Sequence, residues 1–204
     1  MQTREDWLIN TTHYFPNKTQ EQVLLAAEQV FKLSDSENDL QFAHTENSIY
    51  VQRTWFAYMV LAAAQGTWHF NLTTSAIENS TKASLMITGA SQSMMAMVNV
   101  PVNSASIFTA PQTSNLFPFS EVYKLFWGRM DALLYGNQAW LSCDKFIHSQ
   151  QYDVSSKSVE PLCFNASDNQ PERSVFEKFY KTKENSKEDN QFKSIIHIMP
   201  SNSQ

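Results

Sequence analysis

The stretch from Phe119 to Cys143 decides the fold of this chain and reads FSEVYKLFWGRMDALLYGNQAWLSC. It predicts a helix from Glu121 to Tyr135, with Ser120 as its N-cap and Gly136 as the left-handed residue that ends it. With successive residues about 100° apart, an apolar arc covers most of the helix and leaves a narrow strip for water. The arc contains Val122, Tyr123, Leu125, Phe126, Trp127, Met130, Leu133 and Leu134. We therefore expect the helix to be mostly buried against the rest of the chain.

The segment from Leu40 to Gln92 can supply the covering surface, because its apolar and polar residues alternate with the period of a β-strand. We predict strands at Leu40–His44, Ile49–Trp55 and Thr67–Thr74, and a further strand after a turn at Glu78-Asn79-Ser80. The residues predicted to face inward are Ile49, Val51, Arg53, Trp68, Phe70, Leu72, Ala83, Leu85 and Ile87. The pattern predicts an antiparallel meander of roughly three to five strands with one face in water.

The N-terminal part of the chain predicts one more helix. Thr19 and Gln22 have the spacing of a capping box, and the amphipathic pattern that follows ends near Leu33. Residues 1–18 show neither a helical nor a strand period, and we interpret them as an arm laid over the core. Residues 93–118 also lack a period and are rich in Ser, Asn, Thr and Pro, which predicts a long loop or a lid.

These elements indicate an α+β fold in a single domain over residues 19–165. An antiparallel meander sheet is expected to carry the long buried helix across one face, with the N-terminal helix alongside. Residues 166–204 are predicted to form a C-terminal helix that begins near Pro171 and a partly mobile tail.

Composition limits the classes of partner that the protein can have. Of its 204 residues only 17 % are charged and the net charge is −5, so there is no basic surface to attract nucleic acid. The longest apolar run, Trp55 to Ala64, is about half the length that a bilayer span requires. We therefore expect no transmembrane span.

The start MQTREDW would also fit a mature form from which a signal peptide had been removed, or a chain that once carried a lipid-anchored Cys.

The two cysteines, Cys143 and Cys163, are close enough in sequence to close a modest loop. In an oxidising compartment their disulfide would stabilise the fold by roughly 3 kcal/mol, whereas in the cytosol they would be unpaired thiols. A zinc site from both cysteines with Asp144 and His148 is a third interpretation, but the spacing matches no familiar zinc module. A disulfide beside a surface histidine is therefore favoured.

The sequence favours a protein without catalysis and without a cofactor. Its five histidines are dispersed, it carries no hydrolase or metalloprotease motif, and four glycines are too few for a phosphate-binding loop. Met94, Met95 and Met97 are soft ligands that could hold Cu(I), but adaptable apolar filling or a sticky partner surface is the more common use of such residues.

Arg53 and Arg129 are the two cations that the predicted periods place among apolar residues. In one interpretation they line a cavity and bind an anionic ligand, with Trp55, Trp68 and Trp127 as its apolar walls. In the other interpretation, which we favour, each arginine pairs with an acidic residue or lays its stem along the edge of the sheet.

The element order, together with Arg53-Thr-Trp55, the run from Phe126 to Asp131 and the run from Leu133 to Cys143, resembles uncharacterised bacterial cell-envelope proteins, many of them lipoproteins. The resemblance covers roughly residues 19 to 143 and implies a periplasmic or outer-membrane-associated location, without implying any chemistry. Our first functional hypothesis is a non-catalytic envelope domain that binds a protein partner or supports a larger assembly. The alternative is a carrier of a small anionic or apolar ligand, with a pocket between sheet and helix.

Overall fold

The computed structural model describes residues 4–34, 40–59, 62–95, 115–136, 139–149, 154–164, 171 and 175. In this part of the chain, two helices and a strand precede five consecutive strands, and two more helices follow them. The helices are α1 (Arg4–Thr11), α2 (Gln20–Leu33), α3 (Ser120–Tyr135) and α4 (Cys143–Ile147), with a 3-10 turn at Ser156–Ser158. The strands are β1 (Thr12–Pro16), β2 (Leu40–His44), β3 (Ser48–Met59), β4 (Ala62–Ile77), β5 (Ser80–Met95) and β6 (Asn115–Leu116).

The described strands form one antiparallel sheet of six strands in the order β1-β5-β4-β3-β2, with β6 also paired to β5. Strands β2 to β5 follow one another as a meander, because each turns directly back on its predecessor. Helices cover one face of the sheet, so the predicted α+β architecture is confirmed.

The inner face of the sheet is set by the alternation of the sequence. Val51 lies opposite Phe70, which lies opposite Ile87, and all three side chains are buried. The next inward row, Ile49, Leu72 and Leu85, is fully buried as well. The predicted inward face is thus confirmed. The register is strongly specified, because a slip of one residue would turn both rows into water.

Helix α3 begins and ends close to where its sequence predicts. Gly136 has φ 68° and ends the helix in the left-handed conformation, as expected. Ser120 is the first helical residue rather than the N-cap, which is Phe119 and makes no side-chain capping bond. The Ser120 hydroxyl donates to Glu121 Oε1 at 3.3 Å, so it does not serve the free backbone N–H groups of the first turn.

Aromatic side chains tie the helices to the sheet. The ring of Phe31 in α2 lies 5.0 Å from that of Phe70 in β4 and 5.1 Å from that of Phe126 in α3. The capping box of α2 is also present, with Thr19 and Gln22 bonded reciprocally as predicted. Together these contacts fix α2 between α3 and the sheet.

The N-terminal arm contains regular structure that its sequence did not indicate. Residues 4–11 form α1, and β1 pairs along the first part of β5, with Phe15 opposite Thr81. Phe15 is fully buried, while its neighbours Tyr14 and Pro16 are exposed. A five-residue strand with one inward apolar side chain is too short to show a period, and its pairing with a distant strand leaves no local signal.

Other predictions fall only partly within the described residues. Of the expected loop over residues 93–118, residues 93–95 belong to β5 and 115–116 to β6, and residues 96–114 lie outside the described part. Apart from residues 171 and 175, the predicted C-terminal helix and tail also lie outside it. Among the described helices, none combines the length and apolar character needed to cross a membrane.

Candidate functional site

Two tryptophans on the inner face of the sheet each lie opposite a glycine of the next strand. Trp55 in β3 pairs with Gly66 in β4, and Trp68 in β4 pairs with Gly89 in β5. A Cβ atom added at Gly66 would lie 2.5 Å from the Trp55 ring and 2.5 Å from the Ala90 carbonyl oxygen. At Gly89 it would lie 3.1 Å from the Trp68 ring. The glycines therefore let both indoles lie against the backbone of the neighbouring strand.

The ring of Phe164 and the guanidinium of Arg53 lie close to these two indoles. The ring centroids of Trp55 and Trp68 are 5.4 Å apart, and Phe164 lies 5.8 Å and 5.6 Å from them. The guanidinium carbon of Arg53 is 6.0 Å from the Trp68 ring and 5.9 Å from the Phe164 ring. Arg53 Nη1 also donates to the Pro161 carbonyl at 3.3 Å, so the arginine joins the sheet to the segment 154–164.

A cleft of about 240 Å³ opens beside the two indoles. Three parts of the chain form its walls: the inner face of the sheet, the segment from β6 to the start of α3, and the segment 154–164. Its lining consists of Trp55, Trp68, Gly89, Ala90, Asn115, Leu116, Phe117, Pro118 and Glu160. The side chains of the lining are mostly aromatic and aliphatic, whereas polar and apolar atoms contribute about equally to the exposed surface of the walls.

Three tryptophans, including the cleft-lining Trp55, have a buried indole N–H without a described partner. The Nε1–H of Trp55 is buried and has no hydrogen-bond partner among the residues that the structure describes. Buried N–H groups nearly always have a partner, because leaving one without an acceptor costs about 1–3 kcal/mol. The indole N–H groups of Trp7 and Trp140, which do not line the cleft, are in the same situation, and the Trp55 nitrogen has almost no exposed surface, so this N–H does not by itself indicate a ligand.

Among the described residues that line the cleft, Glu160 is the only one with an ionisable side chain. It is half-buried, and burial raises the pKa of its carboxyl above the ordinary value, an effect that the nearby positive charge of Lys157 partly offsets. A carboxyl with raised pKa in an apolar surrounding lacks full compensation for its negative charge. The cleft thus combines aromatic walls with one poorly compensated acid.

Arg129 lies away from the cleft and binds the chain itself. It is fully buried, and its Nε donates to the Leu141 carbonyl at 2.8 Å while Nη1 donates to Ser34 Oγ at 2.7 Å. Its guanidinium also lies 4.9 Å from the Trp140 ring centroid, and Nη2 is 3.3 Å from Cys143 Sγ. The arginine therefore joins the end of α2 to the segment that follows α3.

Trp127 lies in a third place, beneath the N-terminal segment. Its Nε1 donates to the Asn10 carbonyl at 2.8 Å, and its ring stacks on His13 at 5.4 Å. Of the five residues predicted to share a ligand site, the structure thus brings Trp55 and Trp68 to the cleft and puts Arg53 behind them. Trp127 and Arg129 do not line it.

Cys143 and Cys163 form the expected disulfide, with their sulfur atoms 2.11 Å apart. The zinc interpretation loses its thiolate ligands, and Asp144 and His148 form an exposed pair 3.5 Å apart on α4. Within the described residues there is no group of three or more His, Cys, Asp or Glu arranged to hold a metal ion. The side chains of Met94, Met95 and Met97, named above as possible copper ligands, lie outside the described part.

Several cleft residues were not identified from the sequence. The pairing of the tryptophans with glycines is visible only once the strand register is known, because the alternation fixes the face of each residue but not the register. Glu160 and Phe117 carry no local signal, because they meet the indoles only through tertiary contacts. No protein-family model, no curated protein and no solved structure matches the chain. The geometry of its own residues is therefore the basis for assigning a function.

Proposed function

We propose that this protein is a non-catalytic binding domain that holds a small ligand in the cleft between Trp55, Trp68 and Phe117. The observation that carries the proposal is the cleft itself, whose lining side chains are mostly aromatic and aliphatic and whose Trp55 and Trp68 indoles lie against two glycines of the neighbouring strands. A bound ligand would cover the aromatic surface that the cleft exposes.

The surroundings of the cleft support binding rather than chemistry. Glu160 is its only ionisable lining residue, so the described residues supply no second acid, base or nucleophile beside it. Four of the histidines are described, and each contacts a residue outside the cleft: His13 with Asp131, His44 with Glu28, His69 with Tyr50 and His148 with Asp144.

The proposal is tested by blocking the cleft and screening for ligands by tryptophan fluorescence and thermal shift. Leu116 lines the cleft and is partly exposed, so Leu116→Trp is expected to fill the cleft with little effect on the core. Ile77→Trp, at a similarly exposed position at the end of β4, is the matched control. Ligands are expected to bind the wild type and the control but not Leu116→Trp. A library that yields no ligand of the wild type would contradict the proposal.

A protein partner is a second candidate function, supported by a different surface. Phe56 and Tyr58, on the outer face of β3, are 56 % and 77 % exposed, and their ring centroids are 6.5 Å apart. Two adjacent exposed aromatic rings are typical of a contact surface. Cross-linking in cell extracts is expected to capture a partner with wild-type protein and with Tyr14→Ser, an exposed control on β1, but not with the Phe56→Ser, Tyr58→Ser double variant. Equal capture by all three would count against this surface.

We also propose that the protein functions in the cell envelope, in the periplasm or associated with the outer membrane, after removal of a signal peptide or through a lipid anchor. The disulfide supports an oxidising compartment, because such bonds are rare in the cytosol. Fractionation of cells that express the full gene product, with alkylation of free thiols before lysis, tests this. Free thiols and a cytosolic fraction would contradict it.

A further inference from the structure

We infer that the cleft takes a small organic cation, with an ammonium group beside the Glu160 carboxylate and its apolar part against Trp55, Trp68 and Phe117. This inference rests on the proposed binding function and names the class of ligand. It follows from the charge and the type of the lining residues rather than from the size of the cleft alone.

The charged residue that lines the cleft is negative, whereas the ligand site considered from the sequence was built around two positive residues, Arg53 and Arg129. Neither Arg53 nor Arg129 lines it, and both donate to backbone carbonyl oxygens of the chain. The ionisable group that does line it is the carboxyl of Glu160. An anionic ligand would place a second negative charge beside this acid, which is unfavourable in an apolar surrounding.

A neutral apolar ligand would also be a poor match for Glu160. It would remove further water from a carboxylate that is already half-buried, without supplying a hydrogen bond or a charge in return. A protonated amine supplies both a hydrogen bond and a positive charge, and a quaternary ammonium group supplies the charge alone. The cation is therefore the ligand class that best compensates the half-buried acid, adding to the partial compensation that Lys157 already gives.

The aromatic walls favour the same class. The faces of Trp, Tyr and Phe rings attract cations, and quaternary ammonium ligands are commonly held by cages of such rings. Trp55, Trp68 and Phe117 together line the cleft, and Trp68 already has the Arg53 guanidinium 6.0 Å from its ring centre. Because Arg53 would repel a second cation near Trp68, the ligand's charge is expected beside the Glu160 carboxylate, whose attraction must exceed the repulsion from the nearby Lys157.

The cleft of about 240 Å³ is smaller than the roughly 300–1,000 Å³ of sites for drug-sized molecules. Choline is a suitable probe of this size. Its neutral analogue, an alcohol with carbon in place of nitrogen, has the same shape without the charge, and the corresponding carboxylate reverses the charge. Affinities for the three compounds are measured by calorimetry and by tryptophan fluorescence on wild type, Glu160→Gln and the control Glu46→Gln, which changes an exposed turn residue.

We expect choline to bind the wild type and Glu46→Gln about tenfold more tightly than the neutral alcohol, and the carboxylate not to bind. Glu160→Gln is expected to lose this preference while it still binds the alcohol. Equal binding of choline and the alcohol, or a preference that survives Glu160→Gln, would overturn the cation inference and leave the binding function standing. If none of the three compounds binds, the cation inference fails, and the library screen above decides whether the cleft binds other ligands.

Discussion

Arg129 joins two parts of the structure, because it donates hydrogen bonds to Ser34 at the end of α2 and to Leu141 in the segment that follows α3. The helical period was enough to identify it as a cation among apolar residues, for which an acidic partner or a stem laid along the sheet edge was favoured. The structure instead gives it a carbonyl and a hydroxyl as acceptors. Its partners did not follow, because Ser34 and Leu141 reach it through the packing of α3 against α2 and the chain reversal after Gly136. Whether a buried arginine binds a ligand or only its own chain can therefore be decided only once its hydrogen-bond acceptors are known.

Replacement of Arg129 by Met tests this role. The thioether side chain fills much of the volume, but the Leu141 carbonyl and the Ser34 hydroxyl lose a charged donor. We expect the free energy of unfolding in denaturant to fall by about 3 kcal/mol. Lys124→Met, at an exposed position of the same helix, is expected to change it by less than about 0.5 kcal/mol. Similar values for the two variants would show that Arg129 does not hold these segments.

Gly66 has a specific steric role beneath the Trp55 indole. Because an added Cβ would meet both this ring and a backbone carbonyl oxygen at 2.5 Å, Gly66→Ala is expected to destabilise the fold by about 2 kcal/mol and to displace the indole. Denaturant unfolding and near-ultraviolet circular dichroism measure the two effects. Gly128→Ala is the control, since its Cβ would meet only the movable end of the Leu141 side chain, 2.7 Å away, and alanine favours the helix. An unchanged Trp55 signal in Gly66→Ala would contradict the steric account.

At the scale of elements, Tyr123 shows how completely α3 is buried. Burial raises the pKa of its hydroxyl from 10.0 to about 12, with a smaller opposing effect of the Ile87 backbone. The folded state therefore favours the protonated phenol, while the unfolded chain ionises near its ordinary pKa. The unfolding free energy should be constant below about pH 10 on this account and decline as pH rises toward about 12.

The Tyr123→Phe variant is expected to show a weaker decline of the unfolding free energy between pH 9 and pH 11, measured by denaturant titration at each pH. Tyr135 also has its pKa raised to about 12, by burial and by the charge of Asp131, so part of the decline should persist. Tyr58→Phe, at an exposed position, serves as the matched control and should behave like the wild type. A Tyr123→Phe profile identical to the control would contradict the burial of this hydroxyl.

The disulfide holds the segment 154–164 against α4, and this segment contributes both Glu160 and Phe164 to the cleft region. The Cys143→Ser, Cys163→Ser double variant opens a loop whose ends are 20 residues apart in sequence. We expect it to lose about 3 kcal/mol of stability in denaturant and to bind cleft ligands more weakly. Reduction of the wild type should reproduce both changes. Full stability after removal of the bond would show that other contacts hold the segment.

At the scale of the whole molecule, the features that could be predicted from the sequence are those that depend on residues close to one another along the chain. The inward rows of β3 to β5, the capping box of α2 and the left-handed end of α3 follow from period and turn chemistry over short distances. The edge pairing of β1, the meeting of Trp68 with Phe164 and the position of Glu160 depend on contacts between distant parts of the chain. No local pattern carries them, so the cleft could be recognised only in three dimensions.

Binding of a small ligand in the cleft is tested most directly by following the indole N–H signals of the five tryptophans by nuclear magnetic resonance during titration with choline and with hits from the library. If a ligand binds in the cleft, the indole N–H signals of Trp55 and Trp68 are expected to shift with ligand concentration. Those of Trp127 and Trp140, which lie outside the cleft lining, are expected to stay in place. Saturable shifts confined to Trp127 or Trp140, or no shift of the Trp55 and Trp68 signals with any compound, would contradict binding in the cleft.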